Sequence, residues 1–95
     1  MQINSVADLG AYAFWDTDIT MLNLEKDKEI IIPRIFERAK LDDVLNTIIF
    51  YGTGVCGNIL TANKYLPKQA IYLSHLLLSL PLEKFKAYVA PRNNF

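Results

Sequence analysis

The sequence predicts an all-α protein, a compact bundle of four to five short helices with one central apolar helix. Three observations carry this. Apolar residues return at helical spacing in three separate segments. No two segments alternate apolar and polar residues as paired strands require. Asn, Asp, Thr, Gly and Pro stand where helices of ordinary length would begin and end.

Taken in order, Ser5 is placed to cap a short helix running to about Tyr12, with Gly10 weakening its end. Phe14-Trp15-Asp16-Thr17-Asp18 reads as an irregular segment, two large aromatics followed by turn-favouring residues. Asn23 predicts a cap for a helix from Leu24 to Arg38, on which Leu24, Ile31 and Ile35 share a stripe with Phe36 beside it. Pro33 removes one backbone donor there and predicts a kink or break near Ile30. Asp42 is the expected cap of the next helix, where Val44, Leu45, Ile48 and Ile49 have the spacing of a buried face. Gly52 ends it, and Thr53 is expected to cap a third helix to about Ala62. Pro67 suits the first turn of a helix from Lys68 to Leu80. Ala70, Leu73, Leu76, Leu77 and Leu80 give it the widest apolar face, so it is expected to be the central helix and those leucines to be core. Lys68, Tyr72, His75 and Ser79 form its polar strip, and Pro81 stops it before a last turn from Leu82 to Phe85.

A chain of 95 residues is read as a single helical domain, with residues 86–95 as a tail. A hydrophobic content of 52% excludes general disorder. Ten basic and ten acidic residues cancel, which leaves no electrostatic footprint for nucleic acid or an anionic membrane and limits self-repulsion. The apolar runs are too short to span a bilayer, and no basic residue precedes Lys26 to make a signal peptide, so the expected location is cytoplasmic. Cys56 is the only cysteine and sits among Val55, Ile59 and Leu60, which predicts a buried small hydrophobe.

Several residues invite chemistry. Asp16 and Asp18 have the D-x-D spacing that holds magnesium in some transferases, but no phosphate cradle precedes them. They are read as bracing a turn. His75 is the sole histidine, and no orienting carboxylate accompanies a Cys56–His75 couple. No catalytic residue, metal or cofactor is therefore expected. Arg34 and Arg38 lie four apart and can clamp a carboxylate or phosphate; the alternative is pairing inside the chain with Glu37, Asp42 or Asp43. The helices around Gly52 also admit a helix-turn-helix reading, with Asn58, Thr61 and Lys64 facing DNA. Only Lys64 would bring a charge to phosphate there.

Phe14-Trp15-Asp16-Thr17-Asp18, Asp27-Lys28 and Ile31-Ile32-Pro33-Arg34 through Phe36-Glu37-Arg38 form an ordered set of motifs. Phe50-Tyr51-Gly52, Tyr65-Leu66 and Leu80-Pro81-Leu82-Glu83-Lys84-Phe85 continue it. Together, over roughly residues 14–90, they resemble a family of small uncharacterised proteins common in Bacteroides and related bacteria, a domain of unknown function. The family has no established activity, so no catalytic residue carries over. Its genes often lie beside a nucleotidyltransferase of the abortive-infection toxin type, and the resemblance implies an antitoxin-like or accessory partner. Ala39 departs from the family pattern, where glycine commonly follows the arginine, and this weakens the expected left-handed helix stop.

The sequence thus points to a non-catalytic protein-binding module, an antitoxin-like partner of a nucleotidyltransferase toxin. The alternative is a small helix-turn-helix regulator of its own operon. Trp15, Arg34, Arg38, Phe85, Tyr88, Arg92 and Phe95 are the candidate partner-binding residues, because such side chains most often dominate interfaces.

Overall fold

In a computed structural model, which describes residues 7–16 and 18–88, five helices follow one another without a strand among the described residues. They are α1 (Ala7–Gly10), α2 (Lys28–Arg38), α3 (Leu41–Tyr51), α4 (Thr53–Ala62) and α5 (Lys68–Leu78). Single 3₁₀ turns occupy Ala11–Phe14, Ile19–Met21 and Leu82–Lys84. The expected all-α bundle is present. Ser5 lies outside the described residues.

The central helix is α2 and not the helix from Lys68. Ile31, Ile32, Ile35 and Phe36 are buried on it, and it packs against the 11–14 turn, α3, α4 and α5. By contrast α5 buries Ala70, Ile71 and Ser74, leaves Leu73, Leu77 and Leu78 half-buried, and exposes Leu76, with Leu80 half-buried beyond its end. The reason is geometric. Ala70, Ile71 and Ser74 share one stripe of α5 and turn it to the core, so Leu73, Leu76 and Leu77 fall on the neighbouring stripe.

Residues 24–27 form a turn, and α2 begins four residues later than the cap at Asn23 predicts. The Asn23 side chain does cap, but locally: its Oδ1 accepts the amides of Glu25 and Lys26, both at 2.9 Å. The Asn23 amide donates in turn to the Asp27 carboxylate at 2.8 Å, and Asp27 then stands at the N-cap of α2. This reciprocal bonding satisfies the amides of Asn23, Glu25 and Lys26, so the segment closes as a turn instead of extending the helix. From Lys28 the helix runs unbroken through Pro33. The carbonyl that loses its donor belongs to Glu29, an exposed residue of the first turn, so water can replace the missing bond. The helix stops at Ala39, whose backbone is extended (φ −84°, ψ 167°). A left-handed stop is not used, so alanine is tolerated without strain.

Lys40, not Asp42, is the N-cap of α3; Asp42 and Asp43 lie in its first turn, where their charge opposes the helix dipole's positive end. The buried face of α3 is Val44 and Thr47, with Ile48 and Tyr51 half-buried. Leu45 and Ile49, expected inside, are exposed. Gly52 alone joins α3 to α4, which departs at 110°. It sits at φ 92°, a conformation that strains any side chain, and its amide and carbonyl bond to Ile48 and Cys56. Thr53 is thus the first helical residue and not the cap. α5 ends at Ser79 in left-handed conformation, ahead of Pro81. Phe85, after the last turn, is 2% exposed and belongs to the core. No single helix among the described residues is long and apolar enough to cross a membrane.

Because α2 is enclosed and α5 is not, equal truncations should differ sharply. Ile35→Ala is expected to lower the unfolding free energy by about 2–5 kcal/mol, and Leu76→Ala by no more than about 0.5 kcal/mol. Denaturant titration of both variants checks this, and similar losses at the two positions would contradict the assignment of α2 as the core helix.

Candidate functional site

Two of the sequence motifs meet in space. Phe14 closes the 3₁₀ turn and is buried, which carries Trp15 and Asp16 out over the C-terminal half of α2. Asp16 Oδ1 accepts from the Arg34 guanidinium at 2.5 Å, and Oδ2 from Arg38 at 3.4 Å. Arg34 Cζ lies 5.9 Å from the Phe14 ring centroid, so the cation also rests on the aromatic face. Arg38 makes a looser pair with Glu37, at 3.8 Å. The two arginines do form the carboxylate clamp their spacing predicts. The carboxylate that both arginines share comes from Asp16 and not from Asp42 or Asp43. Partial burial works to raise the Asp16 pKa, but its own backbone amide, Arg34 and Arg38 outweigh this and hold the carboxyl below its ordinary value of 3.8.

Asp18 braces the next turn. Its Oδ1 accepts the Thr20 hydroxyl at 2.6 Å and the Thr20 amide at 3.1 Å, and these bonds lower its pKa. The two aspartates therefore serve different segments. Cys56 is fully buried, its Sγ 4.0 Å from the Thr47 carbonyl, and burial pushes its thiol up to about 11. His75 Nδ1–H donates to the Leu80 carbonyl, tying the imidazole across the end of α5. Tyr51 donates its hydroxyl to the Leu24 carbonyl at 2.7 Å, and burial pushes that phenol up to about 12.

Trp15 is 75% exposed, as a partner-binding residue must be. Phe85 is not available to a partner, being core. Tyr88 is half-buried and packs with Ala87 against the core, while the Lys86 amide donates to the Thr61 carbonyl at 2.9 Å. The chain is thus held to α4 and the core as far as residue 88. Arg92 and Phe95 lie outside the described residues. On α4, Asn58 is exposed, but the Thr61 hydroxyl is turned inward to the Gly57 carbonyl at 2.7 Å, and Lys64 lies beyond the helix end.

Two surface features were not anticipated. Leu41, Leu45 and Ile49 are exposed on α3 at i, i+4 and i+8, with Phe50 also partly exposed. Their spacing was visible, since Leu41 to Ile49 is a regular stripe, but it runs beside the buried one and merges with it in the sequence. A groove also runs between α2 and the chain leaving α4. One part, of about 330 Å³, is lined by Glu29, Asn58, Ile59, Ala62 and Asn63. The adjoining part, of about 310 Å³, shares Glu29 and Asn63 and adds Ile30, Pro33, Glu37 and Tyr65. Nothing in the sequence announces it, because its walls are more than twenty residues apart.

The fold and these surfaces define a small all-α domain whose most ordered charged cluster is satisfied within the chain. It belongs to a family of unknown function (DUF6922), matched over residues 9–60, from α1 into α4. The motifs at Tyr65-Leu66 and Leu80–Phe85 lie beyond that match. The chain matches no curated protein and no solved structure.

The clamp has a pH signature. A carboxylate with a depressed folded pKa stabilises above its unfolded value, and that contribution is lost as pH falls through the folded value. The stability difference between the wild type and Asp16→Asn should therefore be constant near neutrality and shrink once pH drops below 3.8. A difference that persists undiminished in acid strong enough to protonate both states would place its origin elsewhere. Cys56 provides a second check. At pH 8 its native thiol should resist a disulfide reagent that labels it promptly in denaturant, and prompt native labelling would contradict its burial.

Proposed function

We propose that this protein is a non-catalytic protein-binding module, an antitoxin-like partner of a nucleotidyltransferase toxin. The observation that carries the reading is the apolar stripe Leu41, Leu45 and Ile49 on α3, which is exposed among the described residues, together with exposed Trp15. Burying a regular apolar stripe and a tryptophan is how a small helical surface gains affinity for another protein. Charge supports it as well, since a net charge of zero opposes no approach of a protein surface. The candidate nucleophile Cys56 is fully buried with a raised pKa, which fits binding better than covalent chemistry. The identity of the partner rests on the resemblance to proteins whose genes adjoin a nucleotidyltransferase of the abortive-infection type, and the cytoplasm is where such a pair would act.

One observation favours the alternative, a helix-turn-helix regulator. α3 and α4 meet at 110°, within the range of that motif. The junction is a single residue, Gly52, and the surface pocket that Asn58 of α4 lines is lined also by Glu29. A carboxylate at that place repels phosphate, so the protein-binding reading is preferred.

Co-expression with the product of the adjacent nucleotidyltransferase-type gene tests the proposal. A stable complex with suppressed toxicity is expected, weakened at least about tenfold by Ile49→Asp, which desolvates a charge in the contact. If the adjacent product neither co-purifies nor loses toxicity, the antitoxin reading fails; nanomolar binding to its own promoter at physiological salt would install the regulator in its place.

A further inference from the structure

The groove between α2 and the chain leaving α4 carries two carboxylates, from Glu29 and Glu37, beside the side-chain amides of Asn58 and Asn63 and several apolar residues. Glu29 makes no ion pair among the described residues, and Glu37 has only the 3.8 Å pair with Arg38. The backbone carbonyl of Glu29 has no amide at Pro33 to bond with, and both residues line the groove. Arg34 borders it too, but its guanidinium is held by Asp16. Between the two glutamates lie Ile30, 54% exposed, and Pro33 as an apolar floor. Tyr65 stands at the rim, 91% exposed, so nearly all of its ring is available to a cation. Its backbone amide donates to the Asn63 side-chain Oδ1 at 2.7 Å, which shapes the turn that carries it.

We propose that this groove docks an extended, arginine-bearing segment of the partner protein, with cations at residues i and i+4 and an apolar side chain at i+2. The spacing follows from the helix. Glu29 and Glu37 are eight residues apart, roughly 12 Å along the axis. Residues i and i+4 of an extended chain point the same way and lie about 13 Å apart. One arginine then meets each glutamate, the residue between them covers Ile30 and Pro33, and Tyr65 stacks on a guanidinium. Arginine is preferred over lysine because its planar fork suits both a carboxylate and an aromatic face. The peptide amides supply the donor that Pro33 denies to the Glu29 carbonyl.

This inference rests on the protein-binding reading and adds a surface to it. The probe is a fluorescein-labelled peptide containing Arg-Ser-Leu-Ser-Arg, titrated by anisotropy onto the full chain, with a matched peptide carrying glutamate for arginine. Binding of the arginine peptide alone is expected. The double variant Glu29→Gln, Glu37→Gln should weaken it about tenfold or more, and Tyr65→Ala about threefold. The pair Asp42→Asn, Asp43→Asn, outside the groove, should leave it unchanged, and circular dichroism shows that each variant keeps its helices. No binding, equal binding of the glutamate peptide, or an undiminished groove variant would overturn the proposal. So would a dimer made monomeric by Glu29→Arg, which assigns the groove to a second copy. The two readings fail separately: a toxin complex indifferent to Glu29 and Glu37 removes only the groove, and peptide binding without a toxin complex removes only the named partner.

Discussion

Burial of α2 is the constraint on which the rest of the fold depends. Eleven residues are too few for a helix to persist alone in water, so its neighbours must supply the stability. Ile31, Ile32, Ile35 and Phe36 cover more than a third of its circumference, and covering them takes the 11–14 turn, α3, α4 and α5 together. From α2 through α5 the helices are short and follow one another within a few residues, so their positions follow from contact with α2. The uncovered remainder of the helix is then forced to be surface, and it carries Glu29, Ile30 and Glu37.

That arrangement also explains why the arginines of α2 turn inward to the chain. Arg34 and Arg38 leave the helix beside the turn that buries Phe14, and the next exposed residues are Trp15 and Asp16. A carboxylate placed there by core packing meets both guanidiniums without ordering a long flexible segment. The pair ties the segment after α1 to the end of α2, and it links two motifs that are eighteen residues apart in the chain. It also commits the densest basic feature of the protein, so an anionic ligand would have to displace Asp16 to use it.

Much of the helical order was legible in the sequence because short-range chemistry decides it. Gly52 and Pro67 mark junctions that no other residue type would fill as easily, and α4 ends where its apolar pattern does. The errors arose where more than one local solution existed. Asn23 caps a turn instead of a helix, since the Asp27 carboxylate offers its amide a partner four residues on. Leu45, Ile49 and Leu76 are apolar and helically spaced, yet spacing alone cannot say which of two adjacent stripes meets the core. Phe85 reads in sequence as a partner-binding residue because it is a large aromatic just ahead of the tail, but after the last turn that aromatic is packed into the core. The clamp at Arg34 and Arg38 was legible as chemistry, while its partner was not, because Asp16 reaches it only through the fold.

A net charge of zero conceals a division of labour that only the structure separates. Two of the ten cations are held by Asp16, and Lys28 is paired with Glu25 at 2.9 Å, so part of the basic charge is spent within the chain. Among the described residues Glu29 gains no such partner, and Glu37 gains only the 3.8 Å pair with Arg38. The result is local acidity at a groove where the backbone also lacks a donor, in a protein whose composition suggests no electrostatic preference. Local fields of this kind act over about a Debye length, roughly 8 Å at physiological salt, which is comparable to the groove itself. Recognition there would therefore depend on a few placed charges and one exposed ring, and the apolar stripe on α3 would contribute area without selecting for sign.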